Sequence, residues 1–576
     1  MRTCLMFLAL LVAPQLHAGP VPIPADALVV VQVSGRGPAV ERLTRFLTAV
    51  QPDAAKDLPQ RLRRLLADAA PGRDVDAVTP GERVVGVAFT FDGWNSPTPP
   101  WVWLIPVKDA ATFRKKLLTD DERGNSEAGK EGVDRAGPWF VVGRPGYVAV
   151  SASEAAAKAF HAGRELVTPE RLGGLAPILN ESEVSAYVNV AAVNAQYGDV
   201  VRSTVQFVGL MLRNGGNGPI PAFDPRQVET VQFVLDGLTQ TLADGRDLAL
   251  GLNFGTDGVT LRAEVAFAPG SPTAKRFAAD KPVSLDELLT LPAGFTAYTA
   301  SYWGPAAATI VRRLTREYHA PADDERATAA VTAFDATGRD GVRVGISRGG
   351  ESATLLVTPD GAKVTAAHAK LLRTMPRGGY SRNVLLGEKP GLREKALEAS
   401  GFVLHRSELV LDLEAGVATI RDPNVKQATL ESMKRLVNEK TVLWFGDDGQ
   451  RSAQLEAADE TSATRLLGSL LADVDRVGGN AAFMATRQRL PKSASYLLLA
   501  EAGPTVATLA DYTRSVAGAL PAVPGFEIPE FRTLKNPPQS FVGVALTAQA
   551  GRVGLTLFVP AAAAKVAADS VVIPAP

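Results

Sequence analysis

The chain has almost no cysteine, since Cys4 is the single one among its 576 residues. Beyond position 4 the chain therefore has no cysteine that could bind zinc, act as a nucleophile or form a disulfide. Disulfides are needed mainly by small domains that cannot bury a large core, and a chain of this length has no such need. The lack of cysteine excludes several chemistries and predicts a core held together by packing alone.

An excess of charge of one sign is also missing. The 61 basic side chains balance the 61 acidic ones exactly in number, and no long run of like charge occurs. A nucleic-acid-binding protein carries a basic patch or stripe, so we predict no nucleic-acid partner. Charged residues at 21% and hydrophobic residues at 46% are typical of a folded protein.

Motifs for metal or nucleotide binding are absent as well. The histidines after the first twenty residues, His161, His319, His368 and His405, form no H-x-x-x-H or H-E-x-x-H pair. No acidic cluster has the frame of a calcium loop, and no Walker or complete G-x-G-x-x-G motif occurs. We therefore predict no catalytic, cofactor-binding or metal-binding residue and no cofactor. A hydrolase built from distant residues stays open as an alternative, and it requires His319, His368 or His405 beside a serine and an aspartate in one pocket.

One serine-hydrolase motif needs separate treatment. Gly345 to Gly349 fits G-x-S-x-G, in which a strand must enter a sharp turn and a helix must leave it. Here a strand pattern at Val342 to Ile346 is followed by a second strand pattern at Ala353 to Val357. This order predicts a hairpin with Ser347 in its turn, which is the wrong context for a nucleophile.

Long hydrophobic runs are limited to the N-terminus. Arg2 precedes an apolar run from Leu5 to Val12, Pro14 breaks the run, and Ala18 offers a small residue for cleavage. The run is far shorter than the roughly 20 residues that cross a bilayer as a helix. We expect residues 1–18 to be a signal peptide, and the mature chain to be a soluble, exported protein, periplasmic or secreted, without a membrane span. Cys4 precedes the apolar run, so a lipoprotein signal is not predicted.

Repetition is the most conspicuous positive feature. Strand patterns joined by turn residues form hairpins, and a helix pattern with a capping residue follows several of them. The hairpins of this kind are at 139–150, 247–267 and 541–559. The second and third of them, each with the helix pattern that follows, are similar in sequence and lie about half the chain apart. The pattern predicts an α+β fold in which repeated antiparallel sheets, made of hairpin–helix units, are covered by helices and form two related halves.

Clusters of turn-forming residues divide the chain. They occur at 163–177, 280–292 and 478–491, and boundaries between domains favour such stretches. After the signal peptide, this predicts four α+β units, which cover 19–165, 175–282 (with hairpin 247–267), 288–480 and 488–570 (with hairpin 541–559).

Four of the six tryptophans, among them Trp94, Trp101 and Trp103, lie within 46 residues of one another. Exposed aromatic rings can bind sugars, but Trp101 and Trp103 share one face of a strand while Val102 and Leu104 occupy the other. This alternation is typical of a strand buried on both sides. We interpret these rings as core residues, with Trp94 in its proline-rich loop as the exception.

The opening segment Pro24 to Ala27, the hairpin–helix segments 139–160 and 259–277, and the N-terminal signal together resemble a group of exported bacterial proteins. These are α+β repeat proteins of the planctomycete type whose function is not established. The resemblance implies a fold and an exported location but no site residues. We expect a non-enzymatic binding or scaffold module, with a carrier of an apolar ligand such as lipid, or a degenerate hydrolase, as alternatives. The expected partner is an unidentified protein or an apolar ligand.

Overall fold

The structure is a computed structural model of the chain. It describes residues 23–33, 36–69, 73–74, 77–79, 82–94, 99–129, 132–163, 167–214, 225–319, 324–337, 341–358, 360–377, 380–381, 384–418, 423–436, 438–517, 530–532 and 534–572. The predicted signal peptide lies outside these residues.

Helices and antiparallel strands are mixed along the whole chain, and this confirms the predicted combination of helices with antiparallel sheet. The helices are α1 Arg36–Val50, α2 Pro52–Ala69, α3 Ala110–Leu117, α4 Asp120–Gly124, α5 Glu154–Ala162, α6 Pro169–Leu172, α7 Ala176–Glu181, α8 Val190–Asn214, α9 Pro225–Asp244, α10 Pro272–Arg276, α11 Pro305–His319, α12 Asp324–Ala336, α13 Gly361–Thr374, α14 Leu413–Gly416, α15 Pro423–Leu436, α16 Glu460–Leu471, α17 Ala481–Arg487, α18 Ala502–Ala517 and α19 Ala561–Ser570. The strands are β1 Val29–Val33, β2 Val84–Ala88, β3 Trp101–Pro106, β4 Ser126–Glu127, β5 Asp134–Ala136, β6 Trp139–Arg144, β7 Tyr147–Ser151, β8 Val184–Val188, β9 Gly245–Phe254, β10 Gly258–Phe267, β11 Val283–Ser284, β12 Ala297–Tyr302, β13 Val342–Arg348, β14 Glu351–Val357, β15 Tyr380–Ser381, β16 Val384–Leu385, β17 Gly391–Ala399, β18 Phe402–Val410, β19 Lys440–Asp447, β20 Arg451–Glu456, β21 Ser493–Ala494, β22 Tyr496–Glu501, β23 Glu530–Phe531, β24 Phe541–Gln549, β25 Arg552–Pro560 and β26 Val571–Val572.

The chain forms two compact units. Unit 1 consists of Met1–Asp199, Leu242–Ser271 and Arg552–Thr556, and unit 2 consists of Val200–Thr241, Pro272–Gly551 and Leu557–Pro576. Each unit therefore takes its residues from separate stretches of the sequence.

The sheet of unit 1 is antiparallel throughout. Its strands lie side by side in the order β4, β5, β6, β7, β3, β2, β1, β8, β9, β10. The hairpins predicted at 139–150 and 247–267 are present as β6–β7 and β9–β10. Gly146, with φ 80°, supplies the left-handed backbone that the first of these turns requires.

The predicted helix starts after β3 and β7 are confirmed, because both have the expected side-chain caps. Asp109 accepts a hydrogen bond from the backbone N–H of Thr112 at the start of α3, and Ser153 accepts one from Ala156 at the start of α5. Each cap satisfies a backbone donor that the first helical turn leaves without a partner. Phe113 and Phe160 are then buried on the inner faces of these two helices.

The sheet of unit 2 is antiparallel as well. Its order is β17, β18, β19, β20, β14, β13, β12, β22, β24. One face packs on α16 and α17 through a core that includes Leu466, Phe483, Leu497 and Trp444. On the other face, Leu356 packs against α12 and α13.

The segment with the G-x-S-x-G pattern is the hairpin β13–β14, as predicted, and the turn after β13 leads into the strand β14 rather than into a helix. Ser347 itself lies one step earlier than expected. It is a residue of β13, opposite Ser352 of β14 and Ala297 of β12, and the turn is made by Gly349 and Gly350. The two glycines can both take positive φ, so the turn forms without Ser347.

Candidate functional site

The two faces of the sheet in unit 1 are buried to different degrees. On one face, Val30, Val87, Val102 and Tyr187 have no exposed surface and belong to a continuous core. Helices α5 and α7 supply the rest of this core, with Ile178 among their buried side chains. Close packing of this kind is the normal state of a protein interior.

The opposite face is just as apolar and is only half-buried on five of its strands, whereas Val84 and Ala88 of β2, between β1 and β3, are buried on this face. Cross-strand partners share a face of a sheet, and the pairing places alternate residues of five strands together on this side. None of these side chains carries a charge or a hydrogen-bonding group apart from the tryptophan N–H. The half-buried apolar face, as we call it, consists of Val29, Val31, Val33, Trp101, Trp103, Val184, Ala186, Val188, Leu248, Leu250, Leu252, Val259, Leu261, Ala263 and Val265.

Aromatic rings continue this face at one end. Trp103 stacks on Trp101 with ring centroids 5.8 Å apart, and Trp101 contacts Trp94 at 5.3 Å. Phe91 then lies edge-on to Trp94 at 4.8 Å and contacts Tyr197 of α8 at 5.1 Å. These five residues form one row of rings, and Trp94 at its edge is 41% exposed.

The polar atoms of Trp94 and Tyr197 in this aromatic row are already hydrogen-bonded within the protein. Trp94 donates its indole N–H to the carbonyl of Thr90 at 2.9 Å. The hydroxyl of Tyr197 accepts the backbone N–H of Phe91 at 2.8 Å and bonds the hydroxyl of Thr90 at 2.8 Å. Saturated polar atoms leave the rings of Trp94 and Tyr197 to offer carbon surface only.

The expectation that the strand around Trp101 is buried on both sides is wrong. Val102 and Leu104 are buried, with 0% and 3% exposure, but Trp101 and Trp103 on the other side are only half-buried. Alternating apolar residues indicate two apolar faces, yet they do not indicate how much of each face the rest of the chain covers. The alternation at Trp101 and Trp103 therefore indicates where the apolar face lies, but it does not distinguish a half-buried face from a core.

At the other end of the face, α1 reaches the sheet. Phe46 of α1 contacts Phe254 of β9, with ring centroids 6.2 Å apart. Arg42 pairs with Glu183, and Glu183 also accepts the backbone N–H of Phe254. These contacts hold α1 beside the end of β9.

The hydrolase alternative requires histidines in contact with a serine and an aspartate. His368 and His405 both contact the ring of Phe445, with ring centroids 4.7 Å and 5.3 Å from it. The side chain of His319 lies outside the described residues. Nε2 of His368 and Nδ1 of His405 are buried without a hydrogen-bond partner. Because a nucleophile is activated by a hydrogen bond to its base, neither of these two nitrogen atoms acts as the base of a triad within the described residues.

Two further features, a metal site and a helix that could span a membrane, are not found in the part of the chain that the structure describes. There, no three histidine, cysteine, aspartate or glutamate side chains come together in a way that could hold a metal ion. Among the same residues, no helix combines the length and the apolar character needed to cross a membrane.

The candidate site is therefore the half-buried apolar face with its aromatic row. Its arrangement offers apolar contact and no polar chemistry. Comparison with known proteins finds no matching family model, no matching curated protein and no matching solved structure.

Proposed function

We propose that this protein is an exported, non-enzymatic binding module whose ligand is apolar, in the manner of a lipid carrier. One observation carries the proposal: the half-buried apolar face keeps its side chains partly accessible, while the opposite face of the same sheet is close-packed. Extended accessible apolar surface is unfavourable in water, and it is typical of sites that bind apolar molecules or partners.

The chemistry of the face selects the class of ligand. Val31, Ala186, Leu250 and Ala263 follow one another across four neighbouring strands, so a ligand lying along this row meets aliphatic carbon only. A polar ligand would lose its hydration there without gaining hydrogen bonds, which costs free energy. An acyl chain or a similar hydrocarbon makes no hydrogen bonds to water, so it has none to lose when it binds there.

Native mass spectrometry of the freshly purified mature protein tests the proposal. The expected spectrum contains a species heavier than the apo chain, and solvent extraction identifies the added mass as lipid or another apolar molecule. A heavier species whose added mass is polypeptide would favour the scaffold function instead. A clean apo mass, combined with failure to bind the neutral probe N-phenyl-1-naphthylamine, would contradict the proposal.

A matched pair of variants locates the binding surface. Ala186→Arg places a long cation in the middle of the half-buried apolar face and should remove most of the fluorescence rise of N-phenyl-1-naphthylamine. Leu546→Arg makes a comparable change at a strand residue that is 41% exposed. That control should keep the full signal, and equal signals from both variants would place the probe elsewhere.

We also propose that the two units are duplicates of one ancestral half. In unit 1, β1 is flanked by β2, β3, β7 and β6 on one side and by β8 and β9 on the other. In unit 2, β12 is flanked by β13, β14, β20 and β19, and by β22 and β24. The same succession of positions along the chain supports the duplication. An experimental structure with a different strand order in either unit would contradict it.

A further inference from the structure

A cavity of about 300 Å³ lies within unit 2, between the sheet and the helices α12 and α13. The helices contribute mostly apolar side chains, including Phe334 and Leu371. The sheet contributes Arg343 from β13 and polar residues such as Ser452 from β20. Small-molecule sites combine an apolar lining with a few convergent polar groups, and their volumes begin at about this size.

Among the residues of this lining that the structure describes, Arg343 is the one charged side chain. Its guanidinium carbon lies 4.3 Å from the centre of the Trp303 ring, and Trp303 stacks on Phe334 with centroids 5.2 Å apart. The indole ring holds the cation in place by a cation–π interaction but does not neutralise it. Burial lowers the pKa of Arg343 to about 10, and no carboxylate contributes to that shift.

Two further polar groups of the cavity lining are buried without partners. Nε2 of His368 and Oγ1 of Thr365, both on α13, make no hydrogen bond. Burial lowers the pKa of His368 to about 4, so the ring is neutral at physiological pH. Buried polar atoms are normally paired, and the unpaired ones in a native structure mark strain, a functional role or a missing ligand.

We propose that this cavity binds a carboxylate with an apolar body, with the carboxylate on Arg343 and the body against Phe334 and Leu371. The guanidinium fork matches a carboxylate and would pair it through two parallel hydrogen bonds. Bound in this way, the ligand supplies the negative charge that the desolvated cation lacks.

The charge of the cavity selects a carboxylate over a phosphate. Arg343 is the single cation of the described lining, and His368 is neutral, so these residues offer one positive charge. One cation balances a monoanion, whereas a phosphate monoester carries close to two negative charges at neutral pH. Inorganic phosphate is therefore expected to bind weakly or not at all, and acetate is expected to bind weakly because it has no apolar body to place against Phe334 and Leu371.

The test is isothermal titration of the full mature chain with three probes that share one hydrocarbon tail. Decanoate should bind, and neutral decanol and cationic decyltrimethylammonium should bind at least about tenfold more weakly, the size expected for a charge-assisted hydrogen bond. Arg343→Gln should weaken decanoate binding by a similar factor and leave decanol binding unchanged. A variant that merely disturbed the fold would weaken both.

Arg348→Gln is the matched control, because Arg348 lies on the same strand but does not line the cavity. It should bind decanoate like the wild type. Equal affinity of the wild type for decanoate and decanol, or decanoate binding that survives Arg343→Gln, would overturn the proposal.

This inference is independent of the apolar face in unit 1. Ala186→Arg should leave the preference for decanoate over decanol intact, and Arg343→Gln should leave N-phenyl-1-naphthylamine binding intact. Failure of one proposal is thereby distinguishable from failure of the other.

Discussion

The hydroxyl of Tyr187 donates a hydrogen bond of 2.6 Å to Oδ1 of Asp247, and neither side chain has any exposed surface. Arg171 and Arg246 pair with the same carboxylate at 2.9 Å and 2.5 Å. Burial, and then the bond to Asp247, raise the pKa of Tyr187 above its ordinary value, so the hydroxyl stays a donor. This cluster satisfies a buried charge within the close-packed side of the sheet.

We predict that Tyr187→Phe lowers the free energy of unfolding by about 1.5–3 kcal/mol, the range for a buried hydrogen bond to a charged group. Urea denaturation followed by circular dichroism measures the change. Tyr496→Phe is the control, since the hydroxyl of Tyr496 makes no hydrogen bond within the described residues, and its effect should stay below about 0.5 kcal/mol. Equal losses in both variants would show that the hydroxyl of Tyr187 contributes nothing specific.

The second prediction concerns acid stability. Glu122 is 8% exposed and accepts two hydrogen bonds from Arg73, at 2.5 Å and 2.6 Å, and one from the indole of Trp139 at 2.8 Å. Burial acts to raise the pKa of this carboxyl, but the bonds from Arg73 and from the backbone of Thr119 outweigh it, and the pKa is lowered.

A lowered pKa in the folded state means that the ionised carboxylate stabilises the fold. This contribution is complete above the ordinary pKa of 4.5 and is lost as the pH falls through the lowered value. Below pH 4.5, the unfolding free energy of the wild type should therefore fall more steeply with decreasing pH than that of Glu122→Gln. Denaturation curves between pH 6 and pH 3 measure this difference. Equal slopes for the wild type and Glu122→Gln would contradict this prediction.

The third prediction compares the two faces of β1 with one kind of substitution. Val30 is fully buried, whereas Val31 lies on the half-buried apolar face. Replacing valine by threonine keeps the shape and adds a hydroxyl, which costs about 1–3 kcal/mol where no partner or water can reach it. Val30→Thr should show that loss, and Val31→Thr should lose less than half as much. Similar losses in urea denaturation would mean that both faces are close-packed.

The fourth prediction concerns export. If residues 1–18 are a signal peptide, N-terminal sequencing of the protein recovered outside the cytoplasm should begin at Gly19 or within a few residues of it. Leu8→Arg interrupts the apolar run and should leave the uncleaved precursor inside the cell. Recovery of exported protein that still starts at Met1 would contradict the assignment.

Local sequence signals predicted the parts of the fold that local physics decides. The sequence predicts the hairpin β6–β7 because glycine and proline restrict the backbone at its turn to few conformations. The sequence also predicts the start of α3, because Asp109 is a good capping residue and an apolar helical pattern follows it. In both cases the neighbours in sequence are also the neighbours in space.

The site could not be predicted in the same way, because it depends on which side chains the distant parts of the chain leave uncovered or unpaired. Trp101 and Val102 are both apolar strand residues, and only the coverage by distant helices distinguishes a half-buried face from a core. Arg343 gives no signal either, since a single arginine in a strand is most often solvated. The role proposed for it depends on the cavity, on the Trp303 ring and on the lack of a described carboxylate at its guanidinium, and all three are properties of the folded chain.

The composition of unit 1 from three stretches of sequence has a consequence for biogenesis. Its last piece, Arg552–Thr556, comes near the end of the chain, and Arg552 pairs with Glu264 at 2.9 Å. A chain that is threaded through a membrane from its N-terminus delivers this piece almost last. If the chain is exported as we propose, unit 1 stays incomplete until this piece arrives, and strand edges that are unpaired at that stage are prone to aggregation.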